Sequence, residues 1–375
     1  MLKTTYVDPS FNSASRVEFK LLSADECILN TIELCNFGFS SATGTAAPAL
    51  KFGGLYNVIK NAYLYSGNME IDSIRDVCAV AGASLLWGDA DMAVSVSDEQ
   101  TQTSQTATLA ANSLNLLSPL NVQLSGNVKL MDIFPFLASN QASGKLLVNY
   151  PDLRVVLELN TTIADMFTLP NPTAIVVATP FLKFESVSDE AMKKNFLADS
   201  KNYAPVMWNT IYTESVTVPN GTSSSKLRGF SGKIVSDIVA QSLRTTQSDE
   251  VLGFGYSYNE AGEIMNLTVN NRKLLPLNGL DSSAKKMMSM EKYKQMGYFG
   301  TGMIRGNGFT TFGPNTNSLF DRISFARFEV LNRITDLQFD YTKGPGNATA
   351  SIRFIGNVLK SMTRDTSGKV LLVQY

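Results

Sequence analysis

The sequence predicts an all-β protein with two domains. Short segments alternate apolar and polar residues in steps of two and are separated by turn residues, as half-buried strands are. Only 17% of residues are charged, and Asn, Ser, Thr and Gly fill most polar positions, which is typical of β-sandwiches with many turns. Because the chain has 375 residues, more than a single core usually organises, we expect two domains of about 150 to 200 residues each.

The first half consists mainly of short predicted strands. Residues 1 to 15 are polar and show no period, so we expect an extended N-terminal arm. Arg16 to Leu22 alternates apolar and charged residues and predicts a half-buried strand. Further strands are predicted at residues 27 to 39, 56 to 65, 92 to 96, 122 to 124, 128 to 130, 146 to 148, 153 to 159 and 181 to 184. Short strands at this spacing indicate a sandwich or a barrel.

The stretch from Lys51 to Gly88 interrupts this pattern with a helical period. After the turn at residues 66 to 68, four apolar residues recur at i, i+3, i+4 and i+7. They are Ile74, Val77, Cys78 and Ala81. We expect a short helix that Asp72 caps and Gly82 ends. Its side chains Ile74, Val77 and Cys78 are expected to pack against the first domain.

The second half follows a helical linker and contains a weaker repeat of that stretch. Residues 188 to 199 predict a helix with Ser188 as its N-cap, and we place the domain boundary at residues 188 to 205. Leu280-Asp281-Ser282 again precedes residues with helical spacing, up to Gly297. Strands are predicted at residues 210 to 218, 226 to 243, 265 to 269, 323 to 331, 337 to 341, 350 to 355 and 370 to 375.

The composition argues against several classes of function. A net charge of −1 disfavours an electrostatic grip on nucleic acid, which needs clustered Lys and Arg. The first residues lack the apolar run of a secretory signal, and no stretch reaches the roughly 18 apolar residues of a membrane span. Cys27, Cys35 and Cys78 have no metal-ligand spacing, so we interpret them as buried apolar side chains in a reducing compartment.

The chain contains no histidine, which excludes Ser/His/Asp and Cys/His nucleophilic sites and most catalytic zinc sites. Asp89 and Asp91 are the closest carboxylates in sequence, and a solvated loop explains them better than a cation site or an acid/base pair. Gly229 to Lys233 and the glycines between residues 300 and 308 nearly match phosphate-binding loops, but neither keeps the spacing. We therefore predict no catalytic, cofactor-binding or metal-binding residues.

Two elements carry a resemblance to a known family. One is Gly54-Leu55-Tyr56-Asn57-Val58-Ile59-Lys60, which runs into Ile71-Asp72-Ser73-Ile74-Arg75. The other is Asn270-Asn271-Arg272-Lys273-Leu274-Leu275-Pro276, which precedes Leu280-Asp281. Together with the two β-rich halves, these elements resemble the double jelly-roll major capsid proteins of tailless icosahedral viruses, the lineage of adenoviruses, virophages and membrane-containing phages.

The resemblance implies two consecutive eight-stranded jelly-roll sandwiches, at residues 16 to 187 and 206 to 375. It implies a homotrimer in which six jelly rolls form a pseudo-hexagonal block, and such blocks tile an icosahedral virion shell, often over an inner membrane. The partners would be further copies of the chain, penton proteins and minor capsid proteins, and the chain would fold in the host cytoplasm. The family has no catalytic residue, cofactor or metal to carry over, and sequence-specific nucleic-acid binding is not expected.

Two other functions stay open. A two-domain β-sandwich that binds a receptor or a carbohydrate has the same predicted strands, but it would expose an aromatic-lined pocket, whereas a shell protein buries its flanks against copies of itself. A glycosidase that uses Asp89 and Asp91 is the third hypothesis, because paired carboxylates can hydrolyse glycosidic bonds without histidine.

Overall fold

The computed structural model describes most of the chain. The described residues are 2–21, 27–29, 31–44, 50–51, 54–80, 125–142, 146–148, 150, 152–167, 171–199, 206–244, 257–275, 279–295, 324–365 and 369–375. Their strands form four sheets, two built from strands before residue 188 and two from strands after residue 205. The predicted all-β class is confirmed.

The first half is built from a seven-stranded and a five-stranded sheet. The strands of the seven-stranded sheet are β1 (Leu2–Val7), β4 (Cys27–Leu29), β5 (Glu33–Thr43), β8 (Ser125–Lys129), β9 (Leu146–Val148), β11 (Ala174–Val177) and β12 (Phe181–Val187). Their order is β11-β5-β12-β4-β9, with β1 beside β12 and β8 beside β5. The strands of the five-stranded sheet, in spatial order, are β2 (Phe11–Asn12), β3 (Arg16–Lys20), β10 (Leu153–Leu159), β6 (Ile59–Ser66) and β7 (Met69–Arg75).

The second half is built from two five-stranded sheets. The first contains, in spatial order, β13 (Val206–Thr217), β21 (Thr349–Arg364), β15 (Ile234–Arg244) and β19 (Ala326–Arg333), with β22 (Val370–Gln374) also paired to β21. The second contains, in spatial order, β14 (Gly221–Lys226), β20 (Leu337–Lys343), β16 (Ile264–Val269) and β17 (Arg272–Lys273), with β18 (Leu280–Asp281) also paired to β16. Both halves exceed the eight strands predicted, because short strands such as β2 and β17 add to the sheets.

Helices occupy the connections between strands. The α-helices with both ends described are Leu130–Ile133, Pro135–Ala142, Ile163–Met166, Glu190–Asp199 and Ser282–Gln295, and the 3-10 helices are Gly54–Val58 and Arg228–Phe230. Residues 77 to 80 are also helical. Pro135 occupies the first position of its helix, where its missing N–H leaves no hydrogen bond unmade.

The prediction that a helix starts at Asp72 and ends at Gly82 is wrong about the start. Asp72 belongs to β7, which pairs with β6 from Met69↔Ser66 to Arg75↔Asn61, and this pairing keeps the segment extended. Helical backbone begins only at Val77, after Asp76 has taken a left-handed φ of 53°. Ile74, Val77 and Cys78 are buried as predicted, although Ile74 reaches the core from a strand. Ala81 and Gly82 lie outside the described residues.

Two further predictions in the first half need correction. Within the predicted N-terminal arm, residues 1 to 15, two segments belong to the sheets, because β1 pairs antiparallel with β12 and β2 with β3. The strand predicted at residues 56 to 65 starts at Ile59, since the preceding residues form a 3-10 helix. The strands predicted at residues 92 to 96 and 122 to 124 lie outside the described residues.

The two helices predicted in the linker and after Leu280 are present in the structure. The linker helix begins at Glu190, and its N-cap is Asp189 rather than Ser188. Asp189 Oδ1 accepts hydrogen bonds from the N–H groups of Ala191 and Met192, in the first turn of the helix, at 2.9 and 3.1 Å. The helix predicted after Leu280 runs from Ser282 to Gln295, and Asp281 Oδ1 accepts a 2.8 Å hydrogen bond from Ala284 N–H. Asp281 therefore caps this helix in the way predicted for Asp72.

Two apolar clusters form the core. The first fills the sandwich before residue 188 and continues into the second half. The residues of the second half that belong to it are Trp208, Leu243, Phe325, Met362 and Val370. The second cluster fills the sandwich after residue 205. The two halves are therefore joined by buried contacts and not only by the linker.

Candidate functional site

The structure gives no support to a metal centre or a catalytic constellation in the part of the chain that it describes. Asp89 and Asp91 lie outside the described residues, as do the glycines between residues 300 and 308. Among the described residues, no group of three or more His, Cys, Asp or Glu side chains is arranged to hold a metal ion. No described helix is long and apolar enough to cross a membrane.

The turn from Gly229 to Lys233 is not a phosphate cradle. The Gly229 N–H donates to Glu214 Oε2 at 3.1 Å, and Lys233 Nζ donates to the Gly229 carbonyl oxygen at 2.5 Å. Lys233 Nζ also lies 4.5 Å from the centre of the Tyr212 ring. Because the amide and the ammonium group already hold partners within the protein, this turn is structural, as the sequence predicts.

The three cysteines are structural as well. Cys27, Cys35 and Cys78 are buried, as predicted, and they form no disulfide with one another. Burial raises the pKa of the Cys78 thiol to about 12, which keeps it protonated and unreactive at neutral pH.

The most site-like arrangement in the described residues is a buried polar cluster between the two halves. We call it the junction cluster, and it comprises Asp72 and Ser73 on β7, Thr210 on β13, Lys360 on β21, and Tyr375 directly after β22. Asp72, Thr210 and Lys360 are at most 2% exposed. Polar groups buried to this degree need partners, because an unpaired one costs about 1–3 kcal/mol.

Asp72 receives hydrogen bonds from both halves. Its Oδ1 accepts from Thr210 Oγ1 at 2.5 Å and from the Ser73 N–H at 3.2 Å. Its Oδ2 accepts from the Phe136 N–H at 3.0 Å. The short distance to the Thr210 hydroxyl is typical of a hydrogen bond to a charged acceptor. A single carboxylate of the first half thus holds a strand of the second half.

The electrostatics of the junction cluster follow from burial and from one opposing charge. Burial raises the pKa of the Asp72 carboxyl above its usual range, and the Thr210 hydrogen bond and the charge of Lys360 oppose this. Burial lowers the pKa of the Lys360 ammonium group, and the charges of Asp72 and Glu70 oppose this. Each charge therefore reduces the cost of burying the other.

Tyr375 closes the cluster from the side of β22. Two ammonium groups contact its ring, with Lys233 Nζ 4.4 Å and Lys360 Nζ 4.8 Å from the ring centre. Burial raises the pKa of its hydroxyl, and the neighbouring Ser73 side chain opposes this. Cation–π contacts of this kind stabilise by about 0.5–2 kcal/mol each, so Tyr375 attaches the last described strand to the junction.

A second set of contacts joins the halves just beyond the junction cluster. Thr213 on β13 donates to the Arg75 carbonyl oxygen at 3.5 Å. Arg353 Nε on β21 lies 3.7 Å from Asp76 Oδ2, and the Arg353 side chain is only 11% exposed. Residues 72 to 76 of the first half therefore contact β13, β21 and the residue after β22.

The second half contains a buried cluster of its own, which we call the Lys285 cluster. Lys285 Nζ forms an ion pair with Glu263, and both side chains are 1% exposed. Lys285 Nζ also donates to Ser242 Oγ at 3.2 Å and to the Tyr258 carbonyl oxygen at 2.7 Å. Glu263 Oε2 accepts from the Tyr341 hydroxyl at 3.2 Å. This cluster attaches the helix Ser282–Gln295 to the strands beneath it.

Both clusters have the chemistry of structural anchors. The carboxylate oxygens of Asp72 and Glu263 are occupied by donors of the protein, so neither presents an open base to a substrate. Sequence reasoning missed both clusters. Asp72 carried only a weak signal, because it follows Ile71 in a strand that also contains Glu70, Ser73 and Arg75. Lys285 carried none, since its helix contains too many polar residues to predict a buried lysine.

The surface of the first half carries an open groove of about 440 Å³. Tyr6 and Phe181, whose ring centres are 6.0 Å apart, lie on one side of it, and Asn36, Asn127 and Lys183 contribute polar groups. This is the aromatic-lined feature that a binding protein would present.

Comparison of the structure with solved structures identifies the fold. A chain of the PBCV-1 virus capsid matches with a TM-score of 0.60 and 9% identity, over 100% of this chain and 97% of that chain. A chain of the Sputnik virophage matches with a TM-score of 0.59 and 10% identity, over 99% of this chain and 88% of that chain. The chain has a double jelly-roll fold. The Faustovirus major capsid protein matches with a TM-score of 0.53 and 6% identity, over 96% of this double jelly roll and 90% of its own chain.

Sequence comparisons add no relative to this double jelly-roll chain. No protein-family model matches it, and no curated protein matches it by sequence. The identities to these three solved structures are 10% or less, so the matches establish the fold and nothing finer.

Proposed function

We propose that the chain is a major capsid protein, a structural subunit of an icosahedral virion shell. The observation that carries the proposal is the match along the whole chain, since both halves and the connection between them correspond to chains of viral capsids. The anchors described above agree with a protein that must be rigid, and the proposed role needs no chemical step.

In this proposal the subunit forms a homotrimer with a pseudo-hexagonal outline, in which residues 16 to 187 and 206 to 375 are the two jelly rolls and residues 188 to 205 link them. Closed rings of identical subunits need two different complementary surfaces on each subunit. Large apolar side chains that are exposed in the isolated chain support such surfaces in both halves. They include Leu2, Tyr6, Phe11, Val176, Met207, Ile234, Leu331, Leu371 and Leu372.

Lateral contacts between trimers would then build the shell. Penton proteins, minor capsid proteins and, beneath the shell, a membrane are the further partners in the proposal. The net charge of −1 agrees with close packing of many copies, because like charges on neighbouring subunits would oppose assembly.

Light scattering of the purified full-length chain tests the proposal. We expect a mass three times that of the 40.9 kDa chain at micromolar concentration, and pseudo-hexagonal particles or sheets in electron micrographs. A monomer that persists at high protein concentration would contradict the capsid function.

The groove beside Tyr6 and Phe181 favours a second candidate, a two-domain protein that binds a receptor or a carbohydrate. In this case the chain would remain a monomer, and nuclear magnetic resonance titration with neutral oligosaccharides would shift the signals of the groove residues. Loss of those shifts in the Tyr6→Ala variant would assign the binding to the groove.

A further inference from the structure

We infer that residues 72 to 76 fix the angle between the two jelly rolls, and that the hydrogen bond between Asp72 and Thr210 is the main determinant of that angle. The stretch contacts three segments of the second half within five residues, through the side chains of Asp72, Ser73 and Asp76 and the carbonyl of Arg75. No other described stretch of the first half makes polar contacts with β13, β21 and the end of β22 together.

The directionality of these contacts is the reason for assigning them this role. The apolar part of the junction, which includes the edge-to-face pair of Phe136 and Trp208 with ring centres 5.1 Å apart, favours contact between the halves at many similar angles. The N–H groups of Phe136 and Ser73, which belong to the same half as Asp72, hold its carboxylate in one orientation. The Thr210 hydroxyl of the other half must therefore meet Oδ1 from one direction, because hydrogen bonds weaken steeply when they are misaligned. Rotation of one half would remove this donor from the buried carboxylate and leave the Thr210 hydroxyl without its acceptor.

Attachment at both ends of the stretch prevents compensation by local movement. The N-terminal end of the stretch, at Asp72, is held by the pairing of β7 with β6. Its C-terminal end, Asp76, lies in the turn between β7 and the helical residues and has a left-handed backbone. Tyr375 also contacts the cluster, with its ring near the ammonium groups of Lys233 and Lys360. The stretch is therefore a rigid connection rather than a hinge.

The consequence for assembly rests on the proposed capsid function. A closed trimer requires each subunit to present its two jelly rolls at one angle, since a heterologous ring closes only for one rotation between neighbours. A change at residue 72 or 210 would then abolish closure, although neither side chain is at the subunit surface.

The angle can be measured in the full-length chain by electron paramagnetic resonance. Spin labels are attached at Lys20→Cys in the first half and Ser224→Cys in the second, two exposed positions, whereas the native cysteines are buried. We expect Thr210→Val, which keeps the shape and removes the hydroxyl, to broaden the distribution of label distances. Thr210→Ser, which keeps the hydroxyl, is expected to preserve the narrow distribution.

Two further variants complete the test. Asp281→Ala removes a helix cap away from the junction, so it is expected to leave the label distances unchanged. Tyr375→Phe removes a hydroxyl next to Ser73 at a position 40% exposed, so it keeps the chain folded and is expected to broaden the distribution less than Thr210→Val does. Label distances in Thr210→Val and Tyr375→Phe that match those of the unmodified junction would overturn the inference.

Light scattering of the same variants separates this inference from the capsid function. We expect Thr210→Val to lose the trimer and Thr210→Ser to keep it. If the unmodified chain forms no trimer, the capsid function fails, and the label distances still decide whether Asp72 and Thr210 fix the angle. A Thr210→Val trimer as stable as that of the unmodified chain would contradict the link between the angle and assembly.

Discussion

Two stretches of similar sequence, Ile71-Asp72-Ser73 and Leu280-Asp281-Ser282, serve different purposes in the two jelly rolls. The first lies within β7, and the second consists of β18 and the first residue of the helix Ser282–Gln295. Helical residues follow the strand in both cases. Asp281 is exposed and caps its helix, whereas Asp72 is fully buried and binds the other half of the molecule. The comparison teaches that local sequence places an aspartate before a helix, but the surrounding protein decides whether it caps or anchors.

The difference extends to how each helix region is held. In the second half, the helix Ser282–Gln295 is attached by the Lys285 cluster, in which Lys285 contacts Glu263, Ser242 and Tyr258 of the same half. In the first half, the polar bonds of residues 72 to 76 cross to the second half. The buried charges of Lys285 and Glu263 thus stabilise the second jelly roll itself, whereas the buried carboxylate of Asp72 attaches the first jelly roll to the second.

The largest effect is expected from Glu263→Gln. This change leaves the buried Lys285 ammonium group without a carboxylate, which lowers the free energy of unfolding by about 3–5 kcal/mol. Urea denaturation followed by circular dichroism measures it. Lys193→Gln, in the surface pair with Glu190, is the control and is expected to change the midpoint little. Equal midpoints for the two variants would refute the anchoring role of the Lys285 cluster.

A smaller effect is expected from Asp72→Ala. The Thr210 hydroxyl and the Phe136 N–H would remain buried without their acceptor, which lowers the free energy of unfolding by about 1–3 kcal/mol. Calorimetry is the suitable measurement, because weaker coupling between the halves is expected to separate their unfolding transitions. A single transition at an unchanged temperature would show that the apolar contacts alone hold the junction.

Asp281→Ala is expected to have a lesser effect, of about 1 kcal/mol, because it removes only the cap of one exposed helix end. Asp281→Asn is the control, since asparagine caps helices about as well as aspartate. The same calorimetric scan should show one unfolding transition for both variants. A larger loss for Asp281→Ala than for Asp72→Ala would reverse the roles assigned to the two aspartates.

The smallest effect concerns pH. Because the pKa of Asp72 is raised in the folded chain, its contribution to stability is greatest below its ordinary value of 3.8 and falls as the pH rises through the folded-state value. The free energy of unfolding of the unmodified chain, relative to Asp72→Asn, should therefore decrease from pH 3 towards neutrality. Lys360 and Tyr375 lie near this carboxyl, Glu70 and Lys233 lie near Lys360, and all four are the same in both proteins. A relative stability that increases with pH would show that Lys360 and the hydrogen bonds outweigh burial and lower the pKa of Asp72.

Much of the fold could be predicted, because strand formation depends on a short-range pattern. The alternation in Arg16 to Leu22 and in Leu153 to Leu159 corresponds to β3 and β10, and the alternation from Met265 to Val269 corresponds to β16. The error at Asp72 arose where two periods overlap, since Ile74 satisfies both the strand and the helical spacing. Pairing with β6 decided the conformation there.

The sequence by itself determined the all-β class, most strand positions, the helix after Asp281 and the absence of histidine chemistry. Tertiary structure decided which strands pair, such as β13 with β21, and which polar residues are buried. The physical reason is the distance along the chain. A hydrophobic period repeats within a few residues, whereas the hydrogen bond of Asp72 joins residues 138 positions apart, and no local pattern encodes its partner.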